Sequence, residues 1–136
     1  MTRKRLEKRA WFPVEGLPGL ELCIRYLPVP EMSRLRQEAL EMRRDQQTGL
    51  PVERVNEARF AQGLAQAIVD WRGLTRERYA QMLPIDPEDY PAEIPCEEEF
   101  KLELLLEARW FPSLVLELST NLARYQQEQV AAELKN

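Results

Sequence analysis

Proline placement is the feature that most restricts how this chain can fold. Prolines cluster between residues 84 and 95, at Pro84, Pro87, Pro91 and Pro95. Because proline fixes the φ angle and has no backbone N–H to donate, this stretch cannot hold a long regular element. We therefore predict a surface loop here, with one helical turn beginning at Asp86, between helical segments on either side.

The size and composition of the chain indicate a single folded domain. It has 136 residues, of which 44% are apolar and 31% charged, and these values are ordinary for a globular protein. No apolar stretch approaches the roughly 18 residues that a membrane span needs. Because no apolar signal segment follows the basic N-terminus, we expect the protein to be located in the cytoplasm, which is reducing. We predict a flexible basic arm at residues 1–10 and a single helical domain at residues 11–136.

Apolar spacing predicts a mainly α fold. Alternation of apolar and polar residues over residues 20–26 is typical of a half-buried strand. Helical spacing then predicts one helix from residue 29 to about residue 44 and a second from residue 51 to about residue 69. Further helices are predicted at residues 75–82, from residue 97 to a break at Pro112, and from about residue 113 onwards. The expected architecture is one small domain of four or five helices with a short N-terminal β-strand or hairpin.

The residues that usually carry catalysis are scarce. Histidine is absent, which removes the commonest general base and the commonest metal ligand. No serine lies in a G-x-S-x-G sequence, and no glycine-rich phosphate-binding motif occurs. Cys23 and Cys96 form no C-x-x-C pair, and the apolar neighbours of Cys23 favour a small buried residue. We predict that the protein is not an enzyme and uses no cofactor or metal.

Charge is distributed unevenly along the chain. Residues 1–10 are strongly basic, whereas residues 86–107 contain many acidic residues and only Lys101 as a cation. Glu99 and Glu103 would share a helix face and could bind a divalent cation, although such a pair is more often a solvated acidic surface. The basic arm could contact nucleic-acid phosphates, but a charged terminus more often serves solubility. We expect neither nucleic-acid nor membrane binding.

The leucine-rich segment at residues 102–106 is apolar on more than one helix face. Such a segment is either fully buried or part of an interface. Tryptophan is enriched at interfaces, although in a small domain it more often packs in the core. We interpret Leu102, Leu105, Leu106 and Trp110 as a surface that binds a protein partner or a second copy of the chain.

The sequence IVDWRGL at residues 68–74 resembles a pattern found in small tail assembly chaperones, and related uncharacterised tail proteins, of long-tailed bacteriophages. In that pattern a helix runs into a turn of the form V-x-D-W-x-G, which is carried here by Asp70, Trp71 and Gly73. The predicted order of elements over residues 20–125 is also similar, from a strand and a proline-started helix to a closing helical pair. Residues 75–79 depart from the pattern, since they look helical where the family is expected to continue in a loop.

The resemblance implies a non-catalytic protein that binds the tape measure protein and helps tail tube subunits assemble around it. It also implies a location in the cytoplasm of the bacterial host and absence from the finished virion. Alternatives are a structural component of the phage particle and a self-associating adaptor. A DNA-binding regulator that uses the basic arm is a further class, which salt-dependent retention on DNA would reveal.

Overall fold

The computed structural model describes residues 7–126 and shows a mixed α/β domain. Among these residues 46% are helical and 22% lie in strands, and the strands form two antiparallel sheets. The prediction of a mainly α domain is therefore wrong. The physical reason is that three short segments expected in helices or turns form strands instead. Residues 1–6 of the predicted arm and the polar tail from residue 127 lie outside the described residues.

A three-stranded antiparallel sheet forms part of the hydrophobic core. Its strands, in the order β1-β2-β5, are β1 (Arg9–Pro13), β2 (Glu21–Arg25) and β5 (Ile68–Arg72). The strand predicted at residues 20–26 is confirmed as β2. Because β2 lies in the centre of the sheet, its Leu22, Cys23 and Ile24 are all buried. β1 begins at Arg9, so the last residues assigned to the flexible arm belong to the sheet.

Helices make up most of the remaining regular structure among the described residues. They are α1 (Val29–Ala39), α2 (Glu57–Ala65), α3 (Arg76–Met82), α4 (Glu98–Glu107) and α5 (Phe111–Thr120), with a 3₁₀ turn at Pro87–Asp89 and further helical residues at 122–126. The helical turn predicted at Asp86 is confirmed, since its side chain accepts a hydrogen bond from the Glu88 N–H at 3.0 Å. The predicted helix at residues 75–82 is confirmed as α3. The helix predicted to run to a break at Pro112 ends earlier, since α4 stops at Glu107 and Pro112 is the second residue of α5.

A second, two-stranded sheet replaces segments that were expected to be helical. Its strands are β3 (Leu40–Arg44) and β4 (Pro51–Val55). The helices predicted at residues 29–44 and 51–69 are therefore wrong at their adjoining ends. In the turn between the strands, the Asp45 side chain accepts a hydrogen bond from the Gln47 N–H at 2.7 Å. Such local side-chain bonds stabilise a turn in competition with the helix.

β5 replaces the predicted end of the second helix. α2 stops at Ala65, and the Ala67 carbonyl then accepts a hydrogen bond from the Arg25 N–H at 2.8 Å. Ile68 and Trp71 in β5 are both buried, and β-branched and aromatic side chains suit a strand that packs on a core. The segment that resembles a helix running into a turn is thus an edge strand of the sheet.

Candidate functional site

An apolar groove opens between α2, α4 and the start of α5, with a volume of about 340 Å³. Its lining residues are Glu57, Phe60, Ala61, Leu64, Leu105, Leu106, Glu107, Ala108, Arg109 and Pro112. Leu64 and Leu105 are almost fully buried, whereas Leu106 is 50% exposed. The groove therefore has the hydrophobic core beneath it and reaches solvent at Leu106.

α4 forms one wall of the groove because its sequence is apolar on more than one face. Its first turn carries Glu98 and Glu99, and acidic side chains there favour the helix N-terminus. Leu104 and Leu105 are buried against the core, and Leu106 is the leucine left outside. One helix with one packed side cannot bury three consecutive leucines.

The connection from α4 to α5 places a tryptophan beside the groove. The Ala108 N–H donates to the Leu104 carbonyl at 3.0 Å and closes the end of α4. Trp110 then precedes α5 and is 40% exposed, and its ring packs edge-to-face on Phe111 with centroids 6.0 Å apart. The indole is thus held in place while a large part of it stays accessible to solvent.

The residues that the sequence predicted as a partner surface occupy different environments. Leu105 and Leu106 both line the groove. Leu102 is partly buried against the core and does not line it. Trp110 lies in the turn between two lining residues, Arg109 and Pro112, without lining the groove itself. The structure therefore brings two of the predicted residues together and sets a third beside them.

The rim of the groove carries charges of both signs. Glu57 of α2 and Glu107 of α4 lie among the lining residues, with Arg109 as the cation. Glu98 and Glu99 are exposed at the opposite end of α4 and do not line the groove. A ligand with an apolar strip flanked by basic side chains would therefore meet a complementary surface.

Glu103 of α4 is half-buried and belongs to a hydrogen-bonded cluster with two tyrosines. The hydroxyls of Tyr79 and Tyr90 both donate to its carboxylate, the second at 2.9 Å. Burial and the neighbouring carboxylate raise the pKa of Tyr90 to about 12, and they raise the pKa of Tyr79 further. Glu103 thus joins α3 and the proline-rich loop to α4. Within residues 7–126, no group of three or more His, Cys, Asp or Glu side chains is placed to hold a metal ion.

The residues that carry the phage-tail pattern hold the fold together. The Trp71 indole N–H donates to the Ile94 carbonyl at 2.7 Å, and the ring is buried. The exposed Asp70 accepts a hydrogen bond from the Trp71 N–H at 2.8 Å. Gly73 has a φ angle of +77°, and a Cβ there would overlap the carbonyl oxygen of Gly19. Trp71 thus joins β5 to the proline-rich loop, and Gly73 lies against the loop before β2, so these two residues have a structural role.

The opposite wall of the groove was not foreseen from the sequence. Phe60 and Leu64 have helical spacing, which predicts only that they face the core. Their position opposite Leu105 depends on the packing of α2 against α4. The acidic Glu57, one turn before Ala61, was the available sign that this end of α2 reaches solvent.

Comparisons of the chain with protein-family models, with curated proteins and with solved structures found no match. None of the helices in residues 7–126 combines the length and the apolar composition that crossing a membrane requires. A functional assignment therefore rests on the geometry of the groove and on the resemblance at residues 68–74.

Proposed function

We propose that this protein is a non-catalytic tail assembly chaperone of a long-tailed bacteriophage, acting in the cytoplasm of the bacterial host. In this role it binds the tape measure protein and the tail tube protein during morphogenesis. The observation that carries the proposal is the apolar groove between α2 and α4, with Leu106 and Trp110 exposed at its edge. The resemblance at Asp70, Trp71 and Gly73 supports the choice of partner class.

The shape of the groove suits one face of an amphipathic helix. Its two walls are helices, and apolar side chains line most of its length. A partner helix inserted between them would present apolar residues at i, i+3, i+4 and i+7. Because Glu57 and Glu107 flank the apolar residues, basic residues beside that stripe would add favourable contacts at the rim. Trp110 would act as an anchor, since tryptophan is frequent among residues that dominate binding energy.

Co-purification tests the proposal. The tagged full-length chain is expressed together with the phage tape measure and tail tube proteins, and the captured proteins are identified by mass. We expect at least one of the two partners to be recovered. Leu106→Glu should lower recovery of the partner by about tenfold or more. The substitution removes an apolar contact worth about 1–2 kcal/mol and places a charge in the binding surface.

Val29→Glu is the matched control for this substitution. Val29 is an exposed apolar residue at the start of α1, away from the groove residues, so the variant should retain the partner as the unmodified chain does. Equal recovery with Leu106→Glu and Val29→Glu would exclude the groove as the binding site. Recovery of the chain without either partner would overturn the chaperone proposal and favour a structural component of the particle.

A further inference from the structure

The β3–β4 hairpin lies apart from the rest of the described structure. The two strands pack chiefly on each other, and within residues 7–126 no other strand pairs with either of them. Met42 is 61% exposed, and Leu50 and Val55 are also largely exposed. Because an isolated two-stranded hairpin is marginally stable in water, such an arrangement gains from pairing with a further strand.

Hydrogen bonding within the hairpin determines which backbone groups face outward. The Asn56 N–H donates to the Ala39 carbonyl at 2.7 Å, and the Asp45 N–H donates to the Leu50 carbonyl at 2.9 Å. In an antiparallel ladder, hydrogen-bonded pairs alternate with non-hydrogen-bonded pairs. The amide groups of residues 41 and 43 therefore point towards β4, and those of Met42 and its neighbours at 40 and 44 point away from it.

We propose that the outer edge of β3 pairs antiparallel with β3 of a second copy of this chain, with Met42 at the two-fold axis. Met42 of each copy then exchanges backbone hydrogen bonds with Met42 of the other. The Arg44 N–H of each copy reaches the Leu40 carbonyl of the other, whereas the Leu40 N–H already donates to Gln37. About four intermolecular backbone bonds join two hairpins into one four-stranded sheet.

Charge complementarity favours this register. With Met42 at the centre, Glu41 of one copy lies opposite Arg43 of the other, and the same pair repeats across the axis. These are non-hydrogen-bonded positions, where opposite side chains approach most closely. Within its own chain Glu41 already lies opposite Arg54 and accepts a hydrogen bond from Arg43. The dimer extends this alternation of positive and negative side chains across the new strand boundary.

The outer edge of β4 is a poorer partner for its own copy. The alternation that points the backbone N–H and C=O of Met42 away from β4 also points those of Glu53 away from β3, because these two residues are cross-strand neighbours. Pairing of β4 about Glu53 would set two glutamates against each other at the axis. Pro51 would lie at an outward-facing position without an N–H to donate. The hairpin therefore has one edge suited to self-pairing and one that is not.

Proline substitution distinguishes the two edges. In Met42→Pro the outward N–H of β3 is lost, and in the matched variant Glu53→Pro the outward N–H of β4 is lost. Neither substitution removes a hydrogen bond between β3 and β4. Light scattering over a concentration series should give a mass of twice 16.0 kDa for the unmodified chain and for Glu53→Pro. Met42→Pro should shift to the monomer mass, with an unchanged far-ultraviolet spectrum showing that it is folded.

Charge exchange tests the register directly. Arg43→Glu sets glutamate against Glu41 of the second copy, and Glu41→Arg sets arginine against Arg43. Each variant alone should dimerise about tenfold more weakly, since two favourable cross-strand pairs become unfavourable. An equimolar mixture should recover the dimer, because every pair then carries opposite charges.

A monomeric unmodified chain at high concentration would overturn this inference. A dimer that persists in Met42→Pro, or that is lost equally in Glu53→Pro, would also overturn it. A dimer abolished by Leu106→Glu would place self-association at the groove instead. The inference is independent of the proposed chaperone function, because partner capture depends on Leu106 and dimerisation through β3 does not.

Discussion

Gly73 lies at the contact between two parts of the chain that are far apart in sequence. The Arg78 guanidinium donates to the Gly73 carbonyl and, at 2.6 Å, to the Pro18 carbonyl. The loop before β2 is thereby held against the turn after β5. Glycine is required at position 73 for two separate reasons, a left-handed backbone and the contact with Gly19.

We expect Gly73→Ala to lower the free energy of unfolding by about 2–5 kcal/mol. A left-handed conformation costs an alanine about 1–2 kcal/mol, and overlap with a backbone carbonyl adds roughly 1–3 kcal/mol because the backbone must move. Urea denaturation followed by tryptophan fluorescence measures the loss, since Trp71 is buried next to this turn.

Gly16→Ala is the control that separates the two causes. Gly16 also has a positive φ, +87°, but a Cβ there would meet no atom within 4 Å. It should therefore cost only the conformational part, about 1–2 kcal/mol. Equal losses in the two variants would show that the approach of Gly73 to Gly19 contributes nothing to stability.

The β3–β4 hairpin is an element for which the helical spacing of apolar residues gave a wrong prediction. Leu35, Ala39 and Met42 continue one helical stripe in the sequence, yet Leu35 and Ala39 are buried and Met42 is exposed. Helical spacing over one more turn is also compatible with a strand. The pairing of Leu40 with Val55 decides between them, and no local pattern reports it.

Asn56 connects this hairpin to α2, and its substitution tests the connection. Its side-chain oxygen accepts a hydrogen bond from the Arg59 N–H at 3.0 Å, which caps the helix, and its side-chain amide donates to Glu41 at 2.9 Å. Asn56→Ala should lower the free energy of unfolding by about 1–2 kcal/mol, chiefly through loss of the cap. Urea denaturation followed by circular dichroism measures it.

Asn56→Ser serves as the matched variant for the cap. Serine keeps an oxygen that accepts from the start of α2 but does not reproduce the amide of Asn56 that donates to Glu41. It should recover most of the stability lost in Asn56→Ala. A serine variant as unstable as the alanine variant would assign the loss to the bond with Glu41.

The whole molecule should be most stable between about pH 5 and pH 9. Burial raises the pKa of Cys96 from 9.0 to about 11, and burial together with Glu103 raises the pKa of Tyr90 from 10.0 to about 12. Since the folded state holds these protons more tightly than the unfolded state, their contribution is complete below about pH 9 and is lost as the pH rises towards 12. On the acid side, the hydrogen bonds from Arg25 lower the pKa of Glu31 from 4.5, so that contribution is lost as the pH falls below about 4.5.

Urea midpoints measured from pH 2 to pH 11 would show the loss of stability on both the acid and the alkaline side. Tyr79→Phe removes one hydroxyl whose pKa is raised by burial and by Glu103, so the alkaline limb should become shallower while the acid limb stays unchanged. A midpoint that stays constant from pH 9 to pH 11 in the unmodified chain would contradict the account of the Tyr79, Tyr90 and Glu103 cluster.

Features that depend only on neighbouring residues could be predicted from the sequence. Prolines predicted the loop and its helical turn at Asp86, and alternation of apolar and polar residues predicted β2, because each signal acts within a few residues. The strands at residues 40–44, 51–55 and 68–72 could not be predicted in this way, because a strand is stabilised by partners distant in the chain. The same holds for the groove. Leucine spacing predicted a surplus of apolar surface, and the packing of α2 against α4 decided that Leu106 would be the part left in solvent.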